Sequence, residues 1–217
     1  MFYQIAHIVV SFFAKIVFRL KVTGVENVPK TGGVIISANH NSYFDIPLLG
    51  CALPRPIDNI AKSELFRNKI IALFFRKLGG FPIRRGKVDR LAMNEAVNRL
   101  KAGRALSYYP EGTRSKDGRL QKPKAGIGRI VVESGVKVVP AYIHGTHRPR
   151  PFRQVIIHFG QPIDFKIEIE RAHKEGMHAK VLYGTICGKI MAEIAALKKQ
   201  LMEKEPSAKA LEGLGRS

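Results

Sequence analysis

The sequence predicts a single α/β domain built on a central, largely parallel (mixed) sheet that is flanked by helices. Short apolar segments alternate along the chain with longer segments of helical periodicity, which is the pattern of such a domain. Gly103 and Gly135 follow two of the helical segments, where a left-handed glycine commonly ends a helix. The 217 residues suit one well-packed domain better than two.

Each element can be placed from the same pattern. Strands are predicted at 20–23, 34–38, 57–61, 81–83, 105–109, 138–143 and 155–159. Helices are predicted at 43–52, 68–78, 88–102, 125–134 and from about 179 to 202, after an N-terminal helix. The resulting division is an N-terminal helix at 1–19, the α/β domain at 20–203 and a flexible tail at 204–217.

The N-terminal helix is amphipathic. At 100° per residue its polar residues fall within about 120° of arc; they are Gln4, His7, Ser11, Lys15 and Arg19. These interruptions argue against a transmembrane span, and no small-residue cleavage site follows as in a signal peptide. Two interpretations stay open, a helix packed on the core and, favoured by its wide apolar face, a helix lying in a bilayer interface. The residues predicted to contact the membrane are Phe2, Ile5, Val9, Phe12, Phe13, Ile16, Lys15 and Arg19.

The charge of the chain is strongly basic. Lys and Arg number 37 against 17 Asp and Glu, and residues 1–163 alone carry 27 against 9. Such an excess predicts a polyanionic partner, which could be nucleic acid, an anionic membrane or a phosphorylated small molecule. The absence of Trp, of RNA-binding aromatic motifs and of zinc-finger spacing argues against nucleic acid. Two cysteines are too few for a disulfide framework and fit a reducing compartment.

The segment "NHNSYFD" places His40 and Asp45 directly after an apolar strand. Ser42 and Asp45 could simply form a capping box at the start of the next helix. Alternatively, Asp45 could accept the Nδ1–H of His40, which would leave Nε2 as an outward-facing general base. Neither Ser42 nor Ser115 lies in a nucleophile elbow. The sequence therefore favours direct attack by a substrate hydroxyl over a covalent enzyme intermediate.

A second polar segment, "YPEGTRS", follows the strand predicted at 105–109. Glu111 and Arg114 should lie at the same sheet edge as His40, because each follows the carboxyl end of a strand. Arg114 could bind a phosphate through two hydrogen bonds, while Glu111 could order the loop or the free hydroxyl of a substrate. Further cations follow other strand ends; they are Lys62, Arg84, Arg85, Lys87, Lys116, Arg119, Lys122 and Lys124. His144 and His147 lack the companions of a zinc site, so no metal is predicted.

With these motifs in order, the sequence resembles the glycerolipid acyltransferases and, among them, the lysophosphatidic acid acyltransferases. "NHNSYFD" matches the H-x4-D motif of the family, so the resemblance implies catalytic roles for His40 and Asp45. "GGFPIRR" resembles the second motif and assigns its phosphate-contacting arginine to Arg85. "PEGTRS" resembles the third, with Glu111, Gly112, Thr113 and Arg114 as substrate-binding positions. "VVPAYIHGT" resembles the fourth, around Pro140, although the usual second proline of that motif is missing and Pro82 departs from the second motif.

The resemblance implies acyl transfer from acyl-CoA or an acyl-carrier protein to the sn-2 hydroxyl of lysophosphatidic acid, without a metal or redox cofactor. It also implies an enzyme bound to one leaflet of an anionic membrane at its cytoplasmic face, with no obligate protein partner. Lys62 is expected to assist Arg85 and Arg114 on the acceptor phosphate. The alternatives are the same chemistry on glycerol 3-phosphate, another lysophospholipid or a lyso-aminolipid, a hydrolase, and a non-catalytic basic module.

Overall fold

The structure is a computed structural model that describes residues 2–84 and 89–205. It contains one seven-stranded sheet with the strand order β1-β7-β6-β2-β5-β3-β4. The strands are β1 Lys21–Thr23, β2 Val34–Ala38, β3 Ile57–Lys62, β4 Gly80–Ile83, β5 Ala105–Tyr108, β6 Lys137–His144 and β7 Ile156–Phe159.

The sheet is mostly parallel, as predicted. The pairs β2·β5, β2·β6, β3·β5 and β3·β4 are all parallel, whereas β7 runs antiparallel to β6 and pairs in parallel with β1. All seven predicted strands are confirmed with ends that differ by one residue at most. The predicted mixed α/β domain is therefore confirmed.

The helices pack on both faces of this sheet. They are α1 Phe2–Val17, α2 Asp45–Ala52, α3 Lys69–Lys77, α4 Arg90–Lys101, α5 Gly126–Ser134, α6 Lys166–Lys174 and α7 Ala179–Lys204. Only α6 was not predicted, because it is mostly charged and buries a single residue, Ala172. The tail predicted at 204–217 lies outside the described residues from 206 onward.

Two layers of helices cover the two sheet faces. Ile36 of β2 packs with Ala14 of α1 and with α2, and we call this side the front layer. Ile35, the next residue back along β2, packs instead in the core with α4, α5 and α7, which form the back layer. The alternation follows from the period of two along a strand.

The helix α3 belongs to the front layer. Gly80 of β4 has no Cβ, and one placed there would lie only 2.9 Å from the carbonyl oxygen of Phe75 on α3. Its neighbour Phe81 points the other way and packs in the core of the back layer. The crossovers from β2 to β3 and from β3 to β4 run in the same direction along the sheet. Because such crossovers are right-handed, α2 and α3 lie on the same face.

Candidate active site

The carboxyl end of β2 delivers His40 to the sheet edge. Asn39 fastens this end to the neighbouring strand, since its Nδ2 donates to the carbonyl oxygen of Ile143 (3.0 Å) and its Oδ1 accepts from the amide of Ile143 (2.7 Å). Both residues are buried. Two bonds to one β6 residue hold the backbone before His40 in a single position, a function that the sequence analysis did not assign to Asn39.

The carboxylate of Asp45 holds the imidazole of His40. The Oδ2 atom of Asp45 lies 2.8 Å from Nδ1 of His40 and also accepts the backbone amides of Asn41 (2.6 Å) and Ser42 (2.7 Å). Asp45 thus contacts the imidazole, and of the capping box it forms only the contact with the Ser42 amide. The N-cap of α2 is Phe44, and the Ser42 hydroxyl accepts the amide of Phe44 rather than that of Asp45. Since a carboxylate only accepts, the proton of the neutral ring resides on Nδ1, and Nε2 is the basic nitrogen.

The ring of His40 is nearly buried, while its Nε2 has no hydrogen-bond partner among the described residues. The residue is 6% exposed, and its ring stacks on that of Tyr109, with centroids 4.2 Å apart and an angle of 24° between planes. No residue that the structure describes makes a hydrogen bond to Nε2 of His40. Burial, and secondly the charge of Asp45, raises the pKa of the Tyr109 hydroxyl well above its ordinary value. Tyr109 is thus a neutral support that fixes the tilt of the imidazole.

Glu111 supports the backbone of His40 from the neighbouring strand end. Its Oε1 accepts the amide of His40 at 3.3 Å, and its side chain is buried. Burial raises the pKa of Glu111 to about 7, although the amides of His40 and Gln121 lower it in part. The contact is with a backbone amide, which is the loop-ordering role that the sequence left as one of two alternatives.

We expect Glu111→Gln to change how stability depends on pH. The folded protein holds the proton of Glu111 up to about pH 7, whereas the ordinary pKa of this carboxyl group is 4.5. Between these values the folded state binds more protons, so the free energy of unfolding of the wild type should fall as pH rises, by roughly 1–3 kcal/mol relative to the glutamine variant. Urea unfolding of both proteins at pH 5, 6 and 8 measures this. A difference that stays constant with pH would contradict the assignment.

Arg114 also reaches the loop between β2 and α2. Its Cζ lies 3.6 Å from the centroid of the Tyr43 ring, and both side chains are exposed. The guanidinium stacks on an aromatic face and keeps its hydrogen-bond donors directed sideways, where an anion can meet them. The sequence did not single out Tyr43 because an exposed tyrosine in a turn carries no periodic signal.

The remaining predicted residues are only partly gathered at this edge. Gly112 and Thr113 are exposed beside Arg114, and Gly112 has a φ of 69°, in the left-handed region. Lys62 ends β3 and is half-buried. Pro140 lies buried within β6, opposite Ser37 of β2, rather than at the strand end. Arg85 lies outside the described residues.

The hydroxyls of Ser42 and Ser115, which the sequence offered as candidate nucleophiles, have other partners. The Ser42 hydroxyl accepts the amide of Phe44 (3.3 Å), and the Ser115 hydroxyl donates to Asp117 (3.0 Å). Burial raises the pKa of the Cys51 thiol. Among residues 2–84 and 89–205, His, Cys, Asp and Glu form no group of three or more that could hold a metal ion.

Comparisons with known proteins find a matching family model and several similar chains. The family model described as "Acyltransferase" matches residues 19–144, which include both His40 and Arg114. A curated relative, the chloroplastic 1-acyl-sn-glycerol-3-phosphate acyltransferase LPAT1 of Arabidopsis thaliana, is 34% identical over 140 residues, covering 62% of this chain and 38% of that protein.

A bacterial relative and a solved structure add to this. The 1-acyl-sn-glycerol-3-phosphate acyltransferase of Bacillus subtilis is 34% identical over 128 residues, covering 58% of this chain and 63% of its own length. The matches therefore span less than two thirds of either curated relative. The crystal structure of the 1-acyl-sn-glycerophosphate acyltransferase PlsC from Thermotoga maritima superposes with a TM-score of 0.64 at 29% identity, covering 88% of this chain and 81% of that one.

Proposed function

The chain belongs to the acyltransferase family, and we propose that it transfers a fatty acyl group from an acyl thioester to the sn-2 hydroxyl of lysophosphatidic acid. The product is phosphatidic acid. The observation that carries this proposal is the contact of 2.8 Å between Nδ1 of His40 and Oδ2 of Asp45, with Arg114 stacked on Tyr43 in the loop that follows His40. The names of the relatives, which act on 1-acyl-sn-glycerol 3-phosphate, support this acceptor.

The reaction needs no nucleophile from the protein. The Nε2 of His40 removes the proton of the acceptor hydroxyl while its oxygen forms a bond to the thioester carbonyl carbon. The tetrahedral intermediate then collapses, the carbon–sulfur bond breaks, and the imidazolium returns the proton to the departing thiolate. Asp45 keeps Nδ1 protonated and stabilises the imidazolium, as a triad carboxylate does. An ester and a free thiol result, and the histidine is regenerated.

In the proposed reaction, the phosphate of the acceptor binds to Arg114. The guanidinium stacked on Tyr43 offers paired donors to phosphate oxygens, with Lys62 and Arg85 as additional cations. Tyr43 and Phe44 are exposed in the turn that enters α2, and the Phe44 ring packs on Phe18 after α1, with centroids 5.2 Å apart. The acceptor site thus borders the front layer, where a lipid can arrive with its chain still in a membrane.

The front layer has the surface of a membrane-bound face. Eleven of the sixteen exposed large hydrophobic side chains in the described chain lie between Val10 and Phe74. On α1, Phe12 is 61% exposed, although Ala14 packs on the core. The α3 helix buries only Ala72 and leaves Ile70 80% exposed. We include α3, which the sequence did not mark as membrane-binding, in the proposed membrane face.

Cations border these apolar groups. Lys15 and Arg19 are exposed near the end of α1, and the side chains of Phe2, Ile5 and Val9 lie outside the described part of the chain. Around α3 the exposed cations are Arg67, Lys69, Arg76 and Lys77. Apolar side chains between cations suit an anionic bilayer interface. Within the described ranges, none of the helices combines the length and the apolar character that crossing a bilayer requires. The exposed apolar side chains and the cations beside them support our proposal that the protein lies on one leaflet, at the cytoplasmic face.

Charges placed on the membrane face should weaken binding to vesicles. We expect Phe12→Asp with Phe13→Asp, and separately Leu73→Asp with Phe74→Asp, to lower the partition coefficient on phosphatidylglycerol vesicles at least tenfold, because two apolar side chains no longer enter the interface. Sedimentation with vesicles measures it. Leu91→Asp on α4 and Ile167→Asp on α6 are matched controls, since these residues are 77% and 78% exposed elsewhere. Equal losses in the controls would contradict the proposed face.

One assay tests the proposed activity. Purified protein is given lysophosphatidic acid with acyl-CoA or acyl-carrier protein, and the products are separated by mass. Phosphatidic acid is the expected product. Glycerol 3-phosphate, lysophosphatidylethanolamine and a lyso-aminolipid test the alternative acceptors, and thioester loss without a new ester would identify a hydrolase. If no acceptor is turned over, the alternative interpretation of a non-catalytic basic module would apply.

A further inference from the structure

A basic cleft lies next to the proposed catalytic histidine. Its volume is about 520 Å³, and it is formed by the loop after β5, the connection from β6 to β7, and α7. The cationic side chains that line it are Lys116, Arg119, His147, Arg148, Arg153 and Lys198. His147 counts as a cation only when it is protonated. We call this feature the basic cleft.

The cleft is connected to His40 through the backbone. Asn41, the residue after His40, lies in its lining, and the amide of Ser115 donates to the carbonyl oxygen of His40 at 2.7 Å. The loop after β5 and the β6–β7 connection lie close together at Gly118 and His147. A Cβ on Gly118 would be only 3.0 Å from Cγ of His147. The cleft is therefore a preformed extension of the active-site edge rather than a separate groove.

Cationic side chains outnumber acidic ones in the described lining of the cleft. Asp117 is the one acidic side chain among these described residues; its carboxylate accepts from the Ser115 hydroxyl and from the amide of Arg119, both at 3.0 Å, and lies 3.9 Å from the Arg119 side chain. The described lining holds five Lys and Arg side chains against this one acid. A concave surface with several cations concentrates anions, and phosphates in particular.

The cleft and Arg114 offer phosphate-binding groups on different residues. The lining of the cleft includes Lys198 of α7 in the back layer, whereas Arg114 contacts Tyr43 at the border of the front layer and is not among the lining residues. A reactant with phosphates can therefore bind in the cleft without occupying Arg114.

We propose that the basic cleft binds the phosphates of the acyl donor, at a site separate from the acceptor phosphate on Arg114. This inference rests on the proposed acyltransferase activity. The shared chemistry is the phosphorylated pantetheine arm, which coenzyme A and acyl-carrier protein both carry. The arm then reaches past Asn41 and places its thioester beside Nε2 of His40.

Kinetics with phosphate-containing and phosphate-free donors test this inference. We expect Arg119→Gln with Arg153→Gln to raise the KM for acyl-CoA about tenfold, because charged hydrogen bonds to phosphate are lost. The KM for lysophosphatidic acid should change less than twofold. An acyl N-acetylcysteamine thioester, which has no phosphate, should be used equally well by the variant and the wild type. The variant Arg114→Lys should show the reverse pattern, with a raised KM for the acceptor alone.

Additional experiments identify which donor binds, and a control variant tests whether the overall positive charge of the protein explains the effect. Acyl-dephospho-CoA and acyl-carrier protein show whether the cleft binds the 3′-phosphate or the phosphate on the pantetheine arm, which both donors share. Arg171→Gln on α6 removes an exposed cation outside the cleft and should leave the donor KM unchanged. An unchanged donor KM in a variant that still turns over would overturn the inference, as would an equal rise in the Arg171 control. No turnover by the wild type with any acceptor would instead overturn the proposed function.

Discussion

Replacing His40 with alanine is expected to lower kcat by about 10²–10⁴-fold, because the acceptor hydroxyl loses its general base. The fold should be kept, since Asp45 still accepts the amides of Asn41 and Ser42. Thiol release from acyl-CoA measures kcat, and circular dichroism checks the fold. The KM for lysophosphatidic acid should change little, because the proposed binding site of its phosphate is Arg114 rather than His40.

A matched control separates the role of His40 from a general effect of removing an imidazole. His173 is exposed on α6, away from the sheet edge, so His173→Ala should keep wild-type activity. The His40 variant should also sediment with vesicles as the wild type does, because His40 is not part of the membrane face. Turnover that survives in His40→Ala within tenfold of the wild type would remove this residue from the mechanism.

The strands could be predicted from sequence because each carries its own signal. The β2 segment is apolar at nearly every position, as a strand covered on both faces must be, and all five of its residues are buried. The spacing of His40 and Asp45 likewise predicted their contact, because five residues bring a strand end and a helix start within reach of each other. In both cases, residues close together in the sequence were sufficient for the prediction.

Other parts of the site depend on which strands become neighbours, and the sequence does not state this. The sequence predicted Tyr109 only as the last residue of a strand. The pairing of Ser37 with Tyr108 brings the ring of Tyr109 against His40. The partner of Asn39 lies 104 residues away. The exposure of Ile70 could not be predicted from sequence either, because an exposed apolar face on α3 has the same periodicity as a face buried on a core.

The geometry suggests why one sheet edge can serve two substrates that differ in solubility. The front layer is apolar and exposed, and it contacts Arg114 through Tyr43. The back layer contributes Lys198 to the basic cleft. His40 follows β2, which is the middle strand of the sheet. In the proposed reaction the lipid and the thioester meet at this histidine while different residues hold their phosphates.

Asp45 has two structural functions, and two substitutions should separate them. We expect Asp45→Asn to keep most of the thermal stability, because its amide oxygen can still accept from the backbone at the helix start. It should nevertheless lower kcat by about 10²–10⁴-fold, since a neutral amide does not stabilise the imidazolium as a carboxylate does. Stopped-flow thiol release and thermal unfolding measure the two effects.

Asp45→Ala should lose activity and stability together. It leaves the amides of Asn41 and Ser42 without the acceptor that they now share at 2.6 and 2.7 Å. Leaving such buried donors unpaired costs about 1–3 kcal/mol each, so the free energy of unfolding should fall by that order. If the Asp45→Asn variant supported wild-type turnover, Asp45 would be a helix-start residue alone. The charge of Asp45, rather than its hydrogen-bonding shape, is what the proposed proton transfer requires, and only the pair of variants distinguishes the two.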